Sequence, residues 1–221
     1  MNKIAVIFAL ALGFLVSTKG KSQTVDESLV QTYTSFAAAK TYPQYILASN
    51  QFKLIAKQNP TYWLANYYAA WSIAILSFQE PNKDNKDPML DEADAFFKKI
   101  EAMDSTNDEV AVLGGLLAQA RLSVAPAGRH GKYGAIANAY FDKVKKINPN
   151  NPRMYYLQGN SLFYTPKLFG GGPEKALPVY EKAEELFSEN ASDMMHDIHN
   201  PYWGKDVNEY MIKQCKEKNA K

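Results

Sequence analysis

Two histidines three residues apart, His196 and His199, with Asp193 nearby, come closest to a metal site in this 221-residue chain. On a helix such a pair faces one side and could share a metal ion. A zinc site needs at least three protein ligands, and spacing fixes no third one here. The pair therefore reads as part of a solvated loop, and no metal is expected. His130, between Arg129 and Gly131, reads the same way. Gly170-Gly171-Gly172-Pro173-Glu174-Lys175 precedes a helical stretch, and helix N-termini attract anions. No strand leads into it and no Gly-Lys-Ser/Thr closes it, so it reads as a turn rather than a phosphate loop. Neither Gly-x-Ser-x-Gly nor His-Glu-x-x-His occurs, and no Ser/His/Asp grouping stands out. The expectation is a protein that is not an enzyme and carries no cofactor.

Aromatic placement is the better clue. Residues 61–79 hold Tyr62, Trp63, Tyr67, Tyr68, Trp71 and Phe78, and residues 155–164 hold Tyr155, Tyr156, Phe163 and Tyr164. Rings at helical spacing, with amides such as Gln119 and Asn160 between them, could line a concave surface. Such a surface suits an extended peptide or an apolar small molecule with a few polar handles.

The elements that would position these rings are helices. Ala137, Phe141 and Val144 share one helical face, and Pro149 ends that stretch within Asn148-Pro149-Asn150-Asn151-Pro152. A second helix follows, with Tyr155, Gly159 and Leu162 on one face. Further helical stretches carry Ala48, Phe52 and Ile55; Ala93, Phe97 and Ile100; and Ala176, Tyr180 and Ala183. Thr24/Glu27, Thr106/Glu109 and Asp206/Glu209 have capping-box spacing. Asp87 and Pro88 have the types expected at a helix start, and residues 124–132 read as a loop. Val207, Tyr210, Met211 and Cys215 fall on one face of a last helix.

This unit resembles the tetratricopeptide (TPR) repeat, a helical hairpin with a Gly and an aromatic on the first helix and Ala, Phe, Ala and Pro at fixed offsets on the second. The recurring alanines at 48, 93, 137 and 176 are 45, 44 and 39 residues apart, against 34 in a plain repeat. The steps from 60 to 70, 105 to 115 and 149 to 159 are all ten, so the surplus falls between the two helices of a hairpin. In a stack these surplus segments share one edge. They either lengthen the helices there or build a loop cluster. The fold expected is all-α: a TPR-like right-handed superhelical array of about four hairpins over residues 23–188. An irregular segment and a C-terminal capping helix follow over residues 189–221. The Gly-Gly turn with Lys175-Ala176 also resembles the periplasmic TPR-like subunit of tripartite ATP-independent transporters.

The resemblance implies a binding role. Carrying the inward positions of the family onto Ala70, Gly115 and Gly159 gives a groove of Tyr67, Trp71, Leu116, Gln119, Tyr156, Asn160, Phe163 and Tyr164. The expected occupant is a segment of a cell-envelope protein held in a scaffold. The alternative is a small apolar or carboxylated ligand, with the chain acting as a carrier or transporter accessory.

Residues 1–22 are different in kind. Lys3 precedes an apolar run from Ile4 to Val16, too short to span a bilayer, then polar residues and small Gly20 and Ser22. This layout predicts a signal peptide cut near Ser22-Gln23 and a periplasmic or secreted protein. The leader holds Lys3, Lys19 and Lys21 and no acid, so the net charge of +2 becomes −1 without it. Nothing global then draws the chain to nucleic acid, and no membrane span is expected in the mature chain. With one cysteine, Cys215, no internal disulfide can form.

Overall fold

The computed structural model describes residues 24–189, 200–201 and 203–219, and residues 1–22, expected to be a leader, His196, His199 and Tyr202 lie outside them. Among the described residues there is no strand. Four helical hairpins follow one another: α1 (Val25–Ala38) with α2 (Tyr42–Gln58), α3 (Trp63–Gln79) with α4 (Lys83–Met103), α5 (Asp108–Val124) with α6 (Pro126–Ile147), and α7 (Pro152–Tyr164) with α8 (Pro173–Glu189). A last helix, α9 (Lys205–Asn219), packs on α8.

Local chemistry sets most of the boundaries. Thr24 and Glu27 form the expected capping box, each backbone N–H donating to the other's side chain at 2.9 and 3.2 Å. Asn59, Asn107 and Asn151 stand at the turns between hairpins, and Asn107 and Asn151 accept from backbone N–H groups of α5 and α7. Asn107, rather than Thr106, is therefore the cap of α5. Thr106 bonds Asp104 instead, and Glu109 is turned inward.

Helices α3 and α5 are apolar nearly all round, and they form the centre of the molecule. The leading helices succeed one another, α3 against α5 and α5 against α7. Close approach depends on glycine: a Cβ on Gly115 would lie 2.5 Å from the Phe141 ring, and one on Gly159 would lie 2.5 Å from the Tyr180 ring. These are the close-packing positions the spacing had singled out.

The surplus residues mostly lengthen helices. α4 starts at Lys83, capped by Asn82, so Asp87 and Pro88 lie inside it rather than at its start. α6 starts at Pro126, so the expected loop over 124–132 is mostly helix. Pro126 fits because the first helical N–H has no intrahelical partner to lose. Only the fourth hairpin keeps its surplus as a turn, a short 3-10 helix at Lys167–Phe169 followed by glycines. The extensions of α4 and α6 meet on one edge. Arg129 grips Asp87 with both terminal nitrogens at 2.7 and 2.6 Å, and Arg121 reaches Asp87, Asp91 and Asp94 at 3.0, 2.5 and 2.7 Å.

That edge has a pH signature. Arg129 and Arg121 hold the Asp87 carboxyl down to about 2. A carboxylate depressed in the folded state stabilises above its ordinary range and loses that contribution as pH falls through the folded value. Asp87→Asn should cost roughly 0.5–1 kcal/mol at neutral pH, the side chain being more than a third exposed. The deficit should shrink between about pH 4 and pH 2. Urea midpoints of both proteins across that range check it, and a deficit that grows on acidification would contradict the assignment.

Candidate functional site

The expected groove divides into an inner and an outer half. Tyr67, Trp71 and Leu116 are core residues, at most 5% exposed, and do not face solvent. Trp71 stacks on Tyr33 of α1, with centroids 5.7 Å apart and planes 24° from parallel, and touches Phe36 at 4.9 Å. Tyr68 stacks on Phe52 at 5.4 Å. The inner half is closed by Trp203, from the stretch just before α9. Its ring lies 6.2 Å from Trp71 and 6.3 Å from Tyr156, and it is 4% exposed.

A polar relay backs this aromatic stack. The Trp203 indole N–H donates to the Tyr67 hydroxyl at 2.8 Å. That hydroxyl donates to Glu109 Oε2 at 3.4 Å, and Arg153 Nε donates to the same oxygen at 2.9 Å. Asn151 donates to Glu109 Oε1 at 2.6 Å, and Arg153 Nη2 donates to the Pro201 carbonyl. The Arg153 guanidinium carbon stands 5.9 Å from the Trp203 ring. Burial pushes the Glu109 pKa up, with the Arg153 charge pulling against it. Burial, reinforced by Glu109, drives Tyr67 well above its usual value, so its hydroxyl keeps its proton. Two donors in this region, Arg153 Nη1 and Trp71 Nε1, are buried with no acceptor among the described residues.

The outer half faces outward on α7. Phe163 is half-buried and Tyr164 is 74% exposed, while half-buried Tyr156, earlier on the helix, meets Trp203 and belongs with the inner half. Lys218 of α9 sits 4.6 Å above the Phe163 ring, and Tyr164 meets that ring edge-on at 5.1 Å. The turn after α7 adds Leu168 and Phe169, 87% and 73% exposed. Gly172 N–H to the Leu162 carbonyl at 2.8 Å folds this turn back on α7. Gly170 and Gly172 have φ of 83° and 105°, and a Cβ on Gly171 would lie 2.1 Å from the Thr165 carbonyl oxygen. The glycine run is thus explained by turn geometry. Four large apolar side chains on one short stretch, three of them largely exposed, are unusual on a water-facing surface.

The two amides of the expected groove are engaged by the fold. Gln119 donates to the Leu157 carbonyl and Ser161 Oγ at 2.6 and 2.8 Å, tying α5 to α7. Asn160 accepts from the Tyr180 hydroxyl at 2.7 Å. On α9, Asn208, Met211 and Cys215 are buried while Val207 and Tyr210 face out, so the buried arc is one step round from the one expected. Trp203, Arg153 and Glu109 were not anticipated as site residues. The one signal was a Tyr-Trp pair between Pro201 and Gly204 in an otherwise polar stretch. A 370 Å³ cleft between α2, α3 and α4 is a separate feature. Its Lys53–Glu92 pair at 3.0 Å and Tyr42–Glu80 bond already answer one another.

Among the described residues no group of three or more His, Cys, Asp or Glu could hold a metal, and no helix is long and apolar enough to cross a membrane. Stacked helical hairpins with a concentrated aromatic strip define an all-α protein. No protein-family model matches the chain, and no curated protein matches it at a significant level. Among solved structures, it is similar to the HusA haemophore from Porphyromonas gingivalis at 30% identity and a TM-score of 0.76. That match covers 90% of this chain and 96% of the other. The chain belongs to the family of that haemophore.

Proposed function

We propose that this protein is an exported, non-enzymatic carrier for a flat apolar ligand bearing carboxylates, of the porphyrin class that includes haem. The carrying observation is similarity to a haemophore over 90% of a chain whose outer aromatic strip stands exposed. Tyr164, Leu168 and Phe169 offer apolar surface for a ring system, and Lys218 beside Phe163 offers a cation for a carboxylate. Export by a leader cut near Ser22-Gln23 fits this role.

A second reading keeps the scaffold for a protein segment in the cell envelope. It is favoured by one observation: the inner half already holds parts of the chain itself, the Pro201 carbonyl and the Trp203 side chain.

Titration of the purified protein with haemin and with metal-free protoporphyrin, followed by absorbance and tryptophan quenching, separates these readings. Saturable binding near one equivalent is expected. Tyr164→Ala/Phe169→Ala should weaken it about tenfold, the loss of roughly 1.4 kcal/mol of ring contact. Binding of haemin alone would assign recognition to the iron, and binding of both to the ring. Unsaturable uptake, or equal affinity in the double variant, would remove the carrier reading and leave the scaffold.

A further inference from the structure

Trp203 fills the inner half of the groove, yet it satisfies that space poorly. An indole brings one N–H donor and no acceptor. It leaves Arg153 Nη1 and Trp71 Nε1, two buried donors, without a partner among the described residues. A buried donor left unpaired is costly. What Arg153 Nη1 lacks is an acceptor, and a carboxylate oxygen there would share the guanidinium with Glu109, which already holds Nε. Trp71 and Tyr156 supply ring faces, and the Tyr67 hydroxyl supplies a polar edge.

We infer that Trp203 is a displaceable plug in a slot built for a planar aromatic carboxylate. The ligand's ring takes the place of the indole, and its carboxylate meets Arg153 Nη1. Gly204, with φ of +108°, joins Trp203 to α9 in a conformation that other residues rarely adopt. On the other side the Pro201 carbonyl is tethered to Arg153, the group the incoming acid would claim. The plug sets apparent affinity: a slot open one part in about a hundred binds about a hundredfold more weakly than the same slot left open. The inference rests on the carrier reading only for the identity of the natural ligand, so a small acid serves as the probe.

Indole-3-acetate and indole are compared on wild type, Trp203→Ala and Trp203→Phe, by calorimetry and thermal melting. Trp203→Ala should bind indole-3-acetate at least about tenfold more tightly than wild type and melt higher in its presence. Indole, lacking the acid, should bind about tenfold more weakly. Should Trp203→Ala fold poorly, Trp203→Phe keeps an aromatic plug but loses the bond to Tyr67, and should show the same order to a smaller degree. In wild type, hydrogen exchange of the Trp203 indole N–H should be faster than that of the α3 and α5 amides, reporting local opening. Indole binding as well as its acid, or indole exchange only through global unfolding, would overturn the plug. Haemin failing to bind any variant while indole-3-acetate binds would sink the carrier reading and leave the plug. Haemin binding untouched by Trp203→Ala, with no uptake of the acid, would do the reverse.

Discussion

Arg153→Met is expected to destabilise the protein by about 3–5 kcal/mol, the cost of leaving a buried charge without its partner. The side chains of Arg153 and Glu109 are 5% and 12% exposed, and the pair is 2.9 Å apart. Methionine replaces the volume of the stem but not the charge, so the Glu109 carboxylate loses its main compensation. Asn151 and Tyr67 still donate to it, which keeps the loss finite. Burial already raises the Glu109 pKa with Arg153 present, and removing the cation raises it further. A carboxyl raised in the folded state favours the fold when protonated, and that contribution is lost as pH rises through the folded value. The deficit should therefore be larger at neutral pH than near pH 5. Adding Glu109→Leu should restore much of the loss, because both charges are then gone. Urea unfolding of the three variants at the two pH values measures this. A loss under about 1 kcal/mol, or one indifferent to pH, would show that the pair is solvated after all.

Gly159→Ala should cost about 1–3 kcal/mol through overpacking, although alanine is the better helix former by roughly 1 kcal/mol. The new Cβ would stand 2.5 Å from two carbons of the Tyr180 ring and 2.9 Å from a third. That ring is fully buried and its hydroxyl is fixed on Asn160, so it cannot swing aside. Any shift passes to α9, because the Tyr180 carbonyl accepts from Asn208 at 3.0 Å. The control is Gly131→Ala in α6, where an added Cβ meets nothing within 4 Å. There only the propensity acts, and a gain of roughly 0.5–1 kcal/mol is expected. Opposite signs in the two melting temperatures support the packing account; matching signs would refute it.

The hairpins were legible because periodicity and Pro/Asn turns both speak within a dozen residues. The same is true of Gly115 and Gly159, whose spacing from the turns is fixed at ten. Helix starts were misread where Pro88 and Pro126 allowed two answers. Pro126 opens α6, whereas Pro88 lies five residues into α4. The glutamate three residues after Thr106 looked like a cap. Glu109 instead pairs with Arg153, 44 positions away, and no local pattern encodes that. The groove residues were read as one strip because family spacing supplies direction, not cover. Tyr67, Trp71 and Leu116 lie in the core rather than along an open groove, with Trp203 packed on the first two. Its segment has no periodicity to betray where it returns.

That return changes how the chain holds together. In a row of stacked hairpins each unit touches only its neighbours, so the ends can fray while the middle stands. The bond from Trp203 to Tyr67 joins positions 136 apart and skips the third hairpin altogether. It fastens the far end of the row to the second hairpin like a clasp. While Trp203 is seated, peeling α9 away disturbs α3 as well, so the tail frays only in molecules whose indole has already left Tyr67.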